Sequence, residues 1–277
     1  MELGVHGLNG KASLDPAETI RLAQRAEELG YRSWWAAEHV VLPSPPVPPV
    51  PMNPTDPILD PLVHLAYVGA VTQRLELATG IVILPQRNPL VLAKQVASLD
   101  VLSGGRLLLG VGAGWLEPEL TAVGVPMSER GGRTDEYLDA MRALWTQPEP
   151  SYQGRYVAFE HVDAHPRPVR PDGPRILIGG HSPAAFRRAV ARGHGWFGNG
   201  DSPDDLAGHL AGLEKAAAEV ERPAWLGRLE INFMQLLPVD AAAARRYADL
   251  GVDRLVVFAM RADDPAAFLE QHADLPR

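Results

Sequence analysis

Short apolar runs alternate with amphipathic stretches from one end of the chain to the other. Leu3–His6 is the first run. Asp15-Pro16-Ala17-Glu18 reads as a helix start, with Asp15 as N-cap, Pro16 at the first helical position where no N–H is needed, and Glu18 closing a capping box. Ile20, Ala23, Ala26 and Leu29 keep the helical period up to Gly30, a stop residue. Tyr31–Ala37 predicts a second strand and Pro61–Val71 a second helix. Leu75–Leu84 is the third strand, Asn88-Pro89 opens a helix with Leu92, Val96, Leu99 and Leu102 on one face, and Arg106–Val111 is the fourth strand. A helix from about Arg133 to Trp145 follows. Ile176–Ile178, Gly195–Phe197, Leu229–Leu236 and Arg254–Met260 supply the remaining strands. Helices from Ser182-Pro183 to Ala191 and from Pro203 to Val220 alternate with them, and one more stands behind each of the last two strands.

Eight strands alternating with helices predict an α/β fold, a (β/α)8 TIM barrel forming a single domain over residues 1–277. A doubly wound open sheet is the rival, and periodicity alone does not separate the two. Two insertions break the rhythm. After strand two, residues 43–61 hold nine prolines, which continue neither a helix nor a central strand, so this excursion is expected to wall or cover the site. After strand four, Tyr152–Val169 alternates like a hairpin, with Tyr156, Ala158 and Glu160 against Val157, Phe159 and His161.

Composition removes several classes of function. A net charge of −8 argues against a general nucleic-acid or anionic-membrane binder, which needs a basic footprint. The absence of cysteine excludes disulfides, thiolate nucleophiles, iron–sulfur clusters and thiolate zinc sites. Nine histidines include no H-x-H or H-E-x-x-H pair, so no catalytic metal is expected. Met1-Glu2-Leu3-Gly4 opens no signal peptide, and the apolar runs fall short of the ~20 residues that span a bilayer. The expectation is a soluble, cytoplasmic protein.

Two glycine motifs fail. Gly110-Val111-Gly112-Ala113-Gly114-Trp115 follows a strand like a dinucleotide fingerprint, but its last glycine falls on Trp115. Gly10-Lys11 lacks the P-loop's first glycine, where Val5 stands, and its Ser/Thr, where Ala12 stands. Glu38-His39 lies at the C-terminal end of strand two, where barrel enzymes place their chemistry, and an imidazole there exchanges protons near neutral pH. A hydrogen-bonded loop histidine is the plain alternative, and position balances the two. Gly179-Gly180-His181-Ser182-Pro183 runs from strand to helix N-terminus, a place for an anion, with Arg187 and Arg188 one turn on. Taken alone, that segment is better explained as a tight turn with ordinary capping. Thr79-Gly80-Ile81, Gly112-Ala113-Gly114 and Gly198-Asn199-Gly200 strip side chains from three further strand ends. Together these gaps leave room for a flat, extended ligand across the barrel mouth.

These residues resemble a known family. Ala26-Glu27-Glu28-Leu29-Gly30-Tyr31 leading to Trp35-Ala36-Ala37-Glu38-His39, Leu77 through Pro85, Lys94-Gln95-Val96-Ala97-Ser98-Leu99-Asp100 with Ser103-Gly104-Gly105-Arg106 through Trp115, Arg130 and Arg133 before Tyr137, and Gly179-Gly180 are similar to the bacterial-luciferase-like superfamily, and within it to the oxidoreductases dependent on coenzyme F420. The resemblance implies a deazaflavin across the C-terminal mouth, a non-proline cis peptide at Gly80-Ile81, and a phosphate pocket at Gly179, Gly180 and neighbouring amides. Cofactor contacts are expected from Glu38, His39, Thr79, Gly80, Ile81, Gly112, Ala113, Gly114, Gly179, Gly180, His181 and Gly198. His39 is the expected catalytic proton donor or acceptor beside the ring. Trp35 and Trp115 are expected to line the substrate pocket, although Trp34 and Trp35 alternate and only one points inwards. Trp115 stands where some sugar-phosphate dehydrogenases of the family carry an acid, which weighs against such a substrate; Glu117 is the nearby carboxylate. The implied reaction is hydride transfer between F420 and a small organic substrate. FMN on the same barrel, as a two-component monooxygenase, is the alternative, and a non-catalytic flavin- or deazaflavin-binding protein is a third reading. A homodimer is expected, and an acidic cofactor tail on a chain of net charge −8 requires a local arginine cluster.

Overall fold

Cap-and-proline pairs start most of the helices. Asp15-Pro16, Asp60-Pro61, Asn88-Pro89, Ser182-Pro183, Ser202-Pro203 and Asp264-Pro265 each place a side-chain oxygen on first-turn amides ahead of a proline that needs none. The computed structural model, which describes residues 1–48 and 52–276, contains α1 (Pro16–Glu28), α2 (Pro61–Val71), α3 (Pro89–Leu102), α4 (Glu117–Ala122), α5 (Arg130–Thr146), α6 (Pro183–Arg192), α7 (Pro203–Glu219), α8 (Ala241–Asp249) and α9 (Pro265–Ala273). The complete capping box belongs to α7, between Ser202 and Asp205; at α1 the Glu18 carboxylate pairs with Arg21 instead.

The strands are β1 (Glu2–His6), β2 (Ser33–Ala36), β3 (Glu76–Thr79), β4 (Val82–Ile83), β5 (Leu107–Gly112), β6 (Tyr152–Gln153), β7 (Ala158–Phe159), β8 (Arg175–Gly179), β9 (Gly195–Gly200), β10 (Glu230–Gln235) and β11 (Arg254–Phe258). Parallel pairing runs β3-β2-β1-β11-β10-β9-β8-β5-β4, and β3 also pairs with β5. The sheet therefore closes, with β3 and β4 sharing one of eight positions, and the open-sheet rival is excluded. The insertion after β5 carries a separate antiparallel hairpin, β6 with β7, in which Tyr152 faces Phe159. Its strands lie earlier and are shorter than the alternation predicts.

The predicted third strand is split by a bulge. Ala78 faces Leu108, yet Val82 faces Val111, so four steps along one strand match three along its neighbour. Alternation on β2 sends Trp34 outwards, where its indole N–H donates to His64 Nε2 at 3.0 Å, and Trp35 inwards, where it stacks on Phe197 with centroids 4.5 Å apart. Trp35, Ala78, Leu108, Leu177, Phe197, Met234 and Val256 fill the barrel's centre. Below them, at the N-terminal end, buried Arg254 reaches Glu76 at 2.5 Å and also bonds Glu2 and Asn232.

Three buried histidines make the fold acid-sensitive. Burial pushes His6, His64 and His194 down from 6.5 to about 4, and His64 and His194 each accept a hydrogen bond from an N–H that a protonated ring would refuse. Unfolded, these rings bind protons near their ordinary value, so between about 6.5 and 4 the unfolded chain holds more protons. Stability is full above that window and is lost as pH falls through it. Urea unfolding across the window should show the midpoint dropping steadily; a flat profile would show that the three rings are protonated in the native state.

Candidate active site

The C-terminal ends of β2, β3, β5, β8 and β9 surround a cavity of about 510 Å³. Its floor is the bulge, where the Gly80-Ile81 peptide is cis. His6, at the end of β1, supports that floor: its Nε2 lies 2.7 Å from the Gly80 carbonyl oxygen. A carbonyl only accepts, so Nε2 carries the hydrogen. The Ile81 side chain rises between strands whose neighbours are glycine. A Cβ on Gly112 would fall 2.7 Å from Ile81 Cδ1, and one on Gly179 would fall 2.9 Å from Ile81 Cγ2. These glycines make room for Ile81, and Ile81 presents an apolar surface to the cavity.

One wall is an acid–base pair. His39, just past β2, brings Nδ1 to 2.8 Å from Glu119 Oε2, and the other Glu119 oxygen accepts from the Val40 amide at 2.6 Å. Glu119 is fully buried and His39 largely so. The half-exposed ring of Trp115 stands edge-on to His39 with centroids 6.5 Å apart. With Nδ1 held by the carboxylate, Nε2 is the ring's remaining nitrogen. Beside it, the Glu38 carboxylate is committed elsewhere, accepting from the Ile83 amide at 2.5 Å and from Arg87. Burial pushes the Glu38 carboxyl up from the usual range, and the Arg87 charge opposes that push. Arg87 also reaches Asp60 at 2.6 Å, so Glu38 ties the strand-two end to the loop after β4 and to the start of α2.

Another part of the lining is cationic. Gly179, Gly180, His181 and Ser182 lead into α6, whose Ser182 hydroxyl accepts from the Ala185 amide. Arg188, one turn on, lines the cavity while paired with Asp135 at 2.8 Å. Arg130, at the start of α5, lines it too, and among the described residues its guanidinium donates only to carbonyls, of Gly114 at 3.1 Å and of Met127 at 2.7 Å. Its charge is the less compensated of the two. His181 stacks on His209 with centroids 4.2 Å apart, and burial with that neighbour pushes it down to about 4. It is a neutral acceptor, taking the Asn199 amide on Nε2 at 3.1 Å.

Glu38, His39, Gly80, Ile81, Gly112, Ala113, Gly114, Trp115, Gly179, Gly180 and His181 thus meet around one cavity. Three expected residues do not. The Thr79 hydroxyl is buried and donates to the Gly110 carbonyl at 2.7 Å, fastening β3 to β5. Gly198 gives space to the Trp196 ring, 1.9 Å from where its Cβ would stand, and the neighbouring Asn199 lines the cavity instead. Trp35 is fully buried in the barrel's centre beneath Gly80 and forms no pocket wall. Arg187 turns away to Glu219, and among the described residues none of 43–61 lines the cavity; residues 49–51 of that excursion lie outside the description. The carboxylate beside the histidine is Glu119, not Glu117. The two stand on opposite faces of α4, as a spacing of two on a helix requires. Recognising Glu117-Pro118-Glu119 as a helix start would have shown that only one faces inwards.

Among the described residues no group of three or more His, Cys, Asp or Glu is arranged to hold a metal ion, and no helix is long and apolar enough to cross a membrane. The chain belongs to the luciferase-like monooxygenase family, whose model matches residues 2–275, a family of oxidoreductases and monooxygenases. It is 35% identical to the uncharacterized protein Rv0953c of Mycobacterium tuberculosis over 99% of this chain and 98% of that one. It is 32% identical to the FMNH(2)-dependent dimethylsulfone monooxygenase of Pseudomonas putida over 54% of this chain and 42% of that one. The coenzyme F420-dependent tetrahydromethanopterin reductase of Methanopyrus kandleri shares the fold, with TM-score 0.78 at 16% identity, covering 99% and 97% of the two chains.

Proposed function

We propose that this protein is an oxidoreductase that moves a hydride between a deazaflavin of the F420 type and a small uncharged organic substrate. The observation that carries the reading is the His39–Glu119 pair, set on the wall of a cavity lined also by apolar Ile81 and by Arg130 and Arg188. The residues fit such a cofactor: Ile81 and the glycines beneath it suit a flat ring, while Arg130, Arg188 and the start of α6 suit an anionic tail. When bound, the deazaflavin supplies a two-electron carrier that exchanges hydride at one ring carbon. His39 handles the proton that accompanies the hydride. Its Nδ1–H is held by Glu119, so Nε2 takes or gives the proton, and the carboxylate stabilises the imidazolium in between. Trp115 adds an apolar wall without charge, which favours a neutral substrate over a sugar phosphate.

A second reading, FMN as cofactor of a monooxygenase, is favoured by the FMNH(2)-dependent relative. Titrating the purified protein with oxidised F420 and separately with FMN, by fluorescence and by retention through desalting, separates the two. Saturable binding of F420 over FMN is expected. Preference for FMN would move the protein to the monooxygenase reading, and binding of neither would sink both. Binding of F420 without turnover on any carbonyl or alcohol would leave a carrier of the cofactor.

A further inference from the structure

A second cavity, of about 500 Å³, lies between α5 and α6 near the starts of β8 and β9, away from the mouth. Trp225, from the connection between α7 and β10, closes one side of it. The Arg142 guanidinium carbon sits 3.7 Å from the centroid of the Trp225 ring, and its Nε has no hydrogen-bond partner. Two of the three lining carboxylates are engaged with other cations, Asp139 with Arg192 at 3.0 Å and Asp172 with Arg170 at 3.2 Å, and the third, Glu221, forms no ion pair with Arg142 among the described residues. Arg142 therefore keeps its charge without a carboxylate partner among the described residues.

His194 is the second donor. Its Nδ1 accepts the Ile176 amide at 3.0 Å, so the neutral ring carries its hydrogen on Nε2. That atom is buried with no hydrogen-bond partner among the described residues, and the Asp172 carboxylate stands 3.9 Å away, too far to accept. A buried donor left unmade costs free energy, and a bound acceptor would recover it. Leu138, Trp145, Ile176, Ala191 and Pro223 supply the apolar part of the lining, which also carries Asp139, Asp172, Arg192 and Glu221.

We propose that this cavity is a second ligand site, and that it takes a monocarboxylate with a compact apolar body. The carboxylate answers Arg142 and His194, and the body fills the apolar walls. Asp139, Asp172 and Glu221 stand on the same lining against Arg142 and Arg192, a balance that opposes a dianion more strongly than a monoanion and turns the site away from phosphate. The volume is ample for a molecule the size of a substituted benzoate. The proposal does not depend on which cofactor occupies the mouth.

Benzoate is the probe, titrated calorimetrically into the full chain alongside inorganic phosphate. Saturable benzoate binding is expected, stronger than that of phosphate, weakened about tenfold or more by Arg142→Gln and unchanged by Arg130→Gln at the other cavity. Trp225→Ala should weaken it as well, which guards against a misfolded arginine variant; circular dichroism checks both. No saturable binding, tighter binding of phosphate, or loss in Arg130→Gln with retention in Arg142→Gln and Trp225→Ala would overturn the proposal.

Discussion

His39→Ala will lower turnover by about 10²–10⁴-fold while leaving cofactor affinity nearly unchanged. The split follows from geometry. The imidazole stands on the wall of the cavity, hydrogen-bonded through Nδ1 to Glu119, whereas the groups suited to an anionic tail, Arg130, Arg188 and the start of α6, belong to other elements and bond to other partners. Glu119→Gln should fall between the variant and the parent in kcat, with KM and cofactor affinity unmoved. An amide in that place offers one acceptor where the carboxylate offers two, to His39 and to the Val40 N–H. Rapid-mixing kinetics with the loaded enzyme, together with cofactor titration, provides the check. Parallel collapse of affinity and rate in His39→Ala would show that the imidazole binds and does not transfer protons.

Glu76→Ala is expected to destabilise the fold by about 3–5 kcal/mol, a large share of the roughly 5–15 kcal/mol that holds a domain together. Glu76 is the acid on which three arginines converge, Arg254 at 2.5 Å, Arg32 at 2.9 Å and Arg175 at 3.6 Å. Of these, Arg254 is the most deeply buried, and its other acid, Glu2, is half in water. Removing Glu76 strands a cation beneath the barrel's apolar centre. Arg254→Met should cost less, at the low end of that range, because Arg32 and Arg175 still answer the carboxylate. Pairing Arg254→Met with Glu76→Gln should recover part of the loss, since two uncharged groups need no mutual compensation. Urea unfolding of the three variants tests the ranking; equal costs for the two single variants would show that the other arginines do not share the charge.

Much of the barrel was legible because its signals are local. Each strand is a short apolar run, and helix after helix begins with an Asp, Asn or Ser followed by proline. Closure was not legible, since it depends on β3 meeting β5 across the chain. Nor was the split of strand three, which shows only as a change of register against β5. At the site, position at a strand end was enough to single out His39. Its partner was hidden by the shortness of α4, six residues that carry too little periodicity to fix which glutamate turns inwards. The parity of Trp34 and Trp35 was open for a related reason: alternation says that neighbours face opposite ways without saying which way is in. Of the glycines the sequence pointed to, Gly80, Gly112, Gly114, Gly179 and Gly180 line the cavity and Gly198 does not. What a missing side chain makes room for is decided by whatever stands opposite, which at Gly198 is Trp196 and at Gly112 is Ile81.

That last pairing makes the depth of the mouth an adjustable dimension. Barrel width is set by strand number and tilt, and changing it means rebuilding the whole sheet. Here the height of the floor is set by a single aliphatic side chain standing among residues that have none. Trimming Ile81 would lower the floor locally, and lengthening it would raise the floor, with the strands, the arginines and the histidine wall left where they are. One scaffold can in this way be retuned to occupants of different depth by substitution at one position.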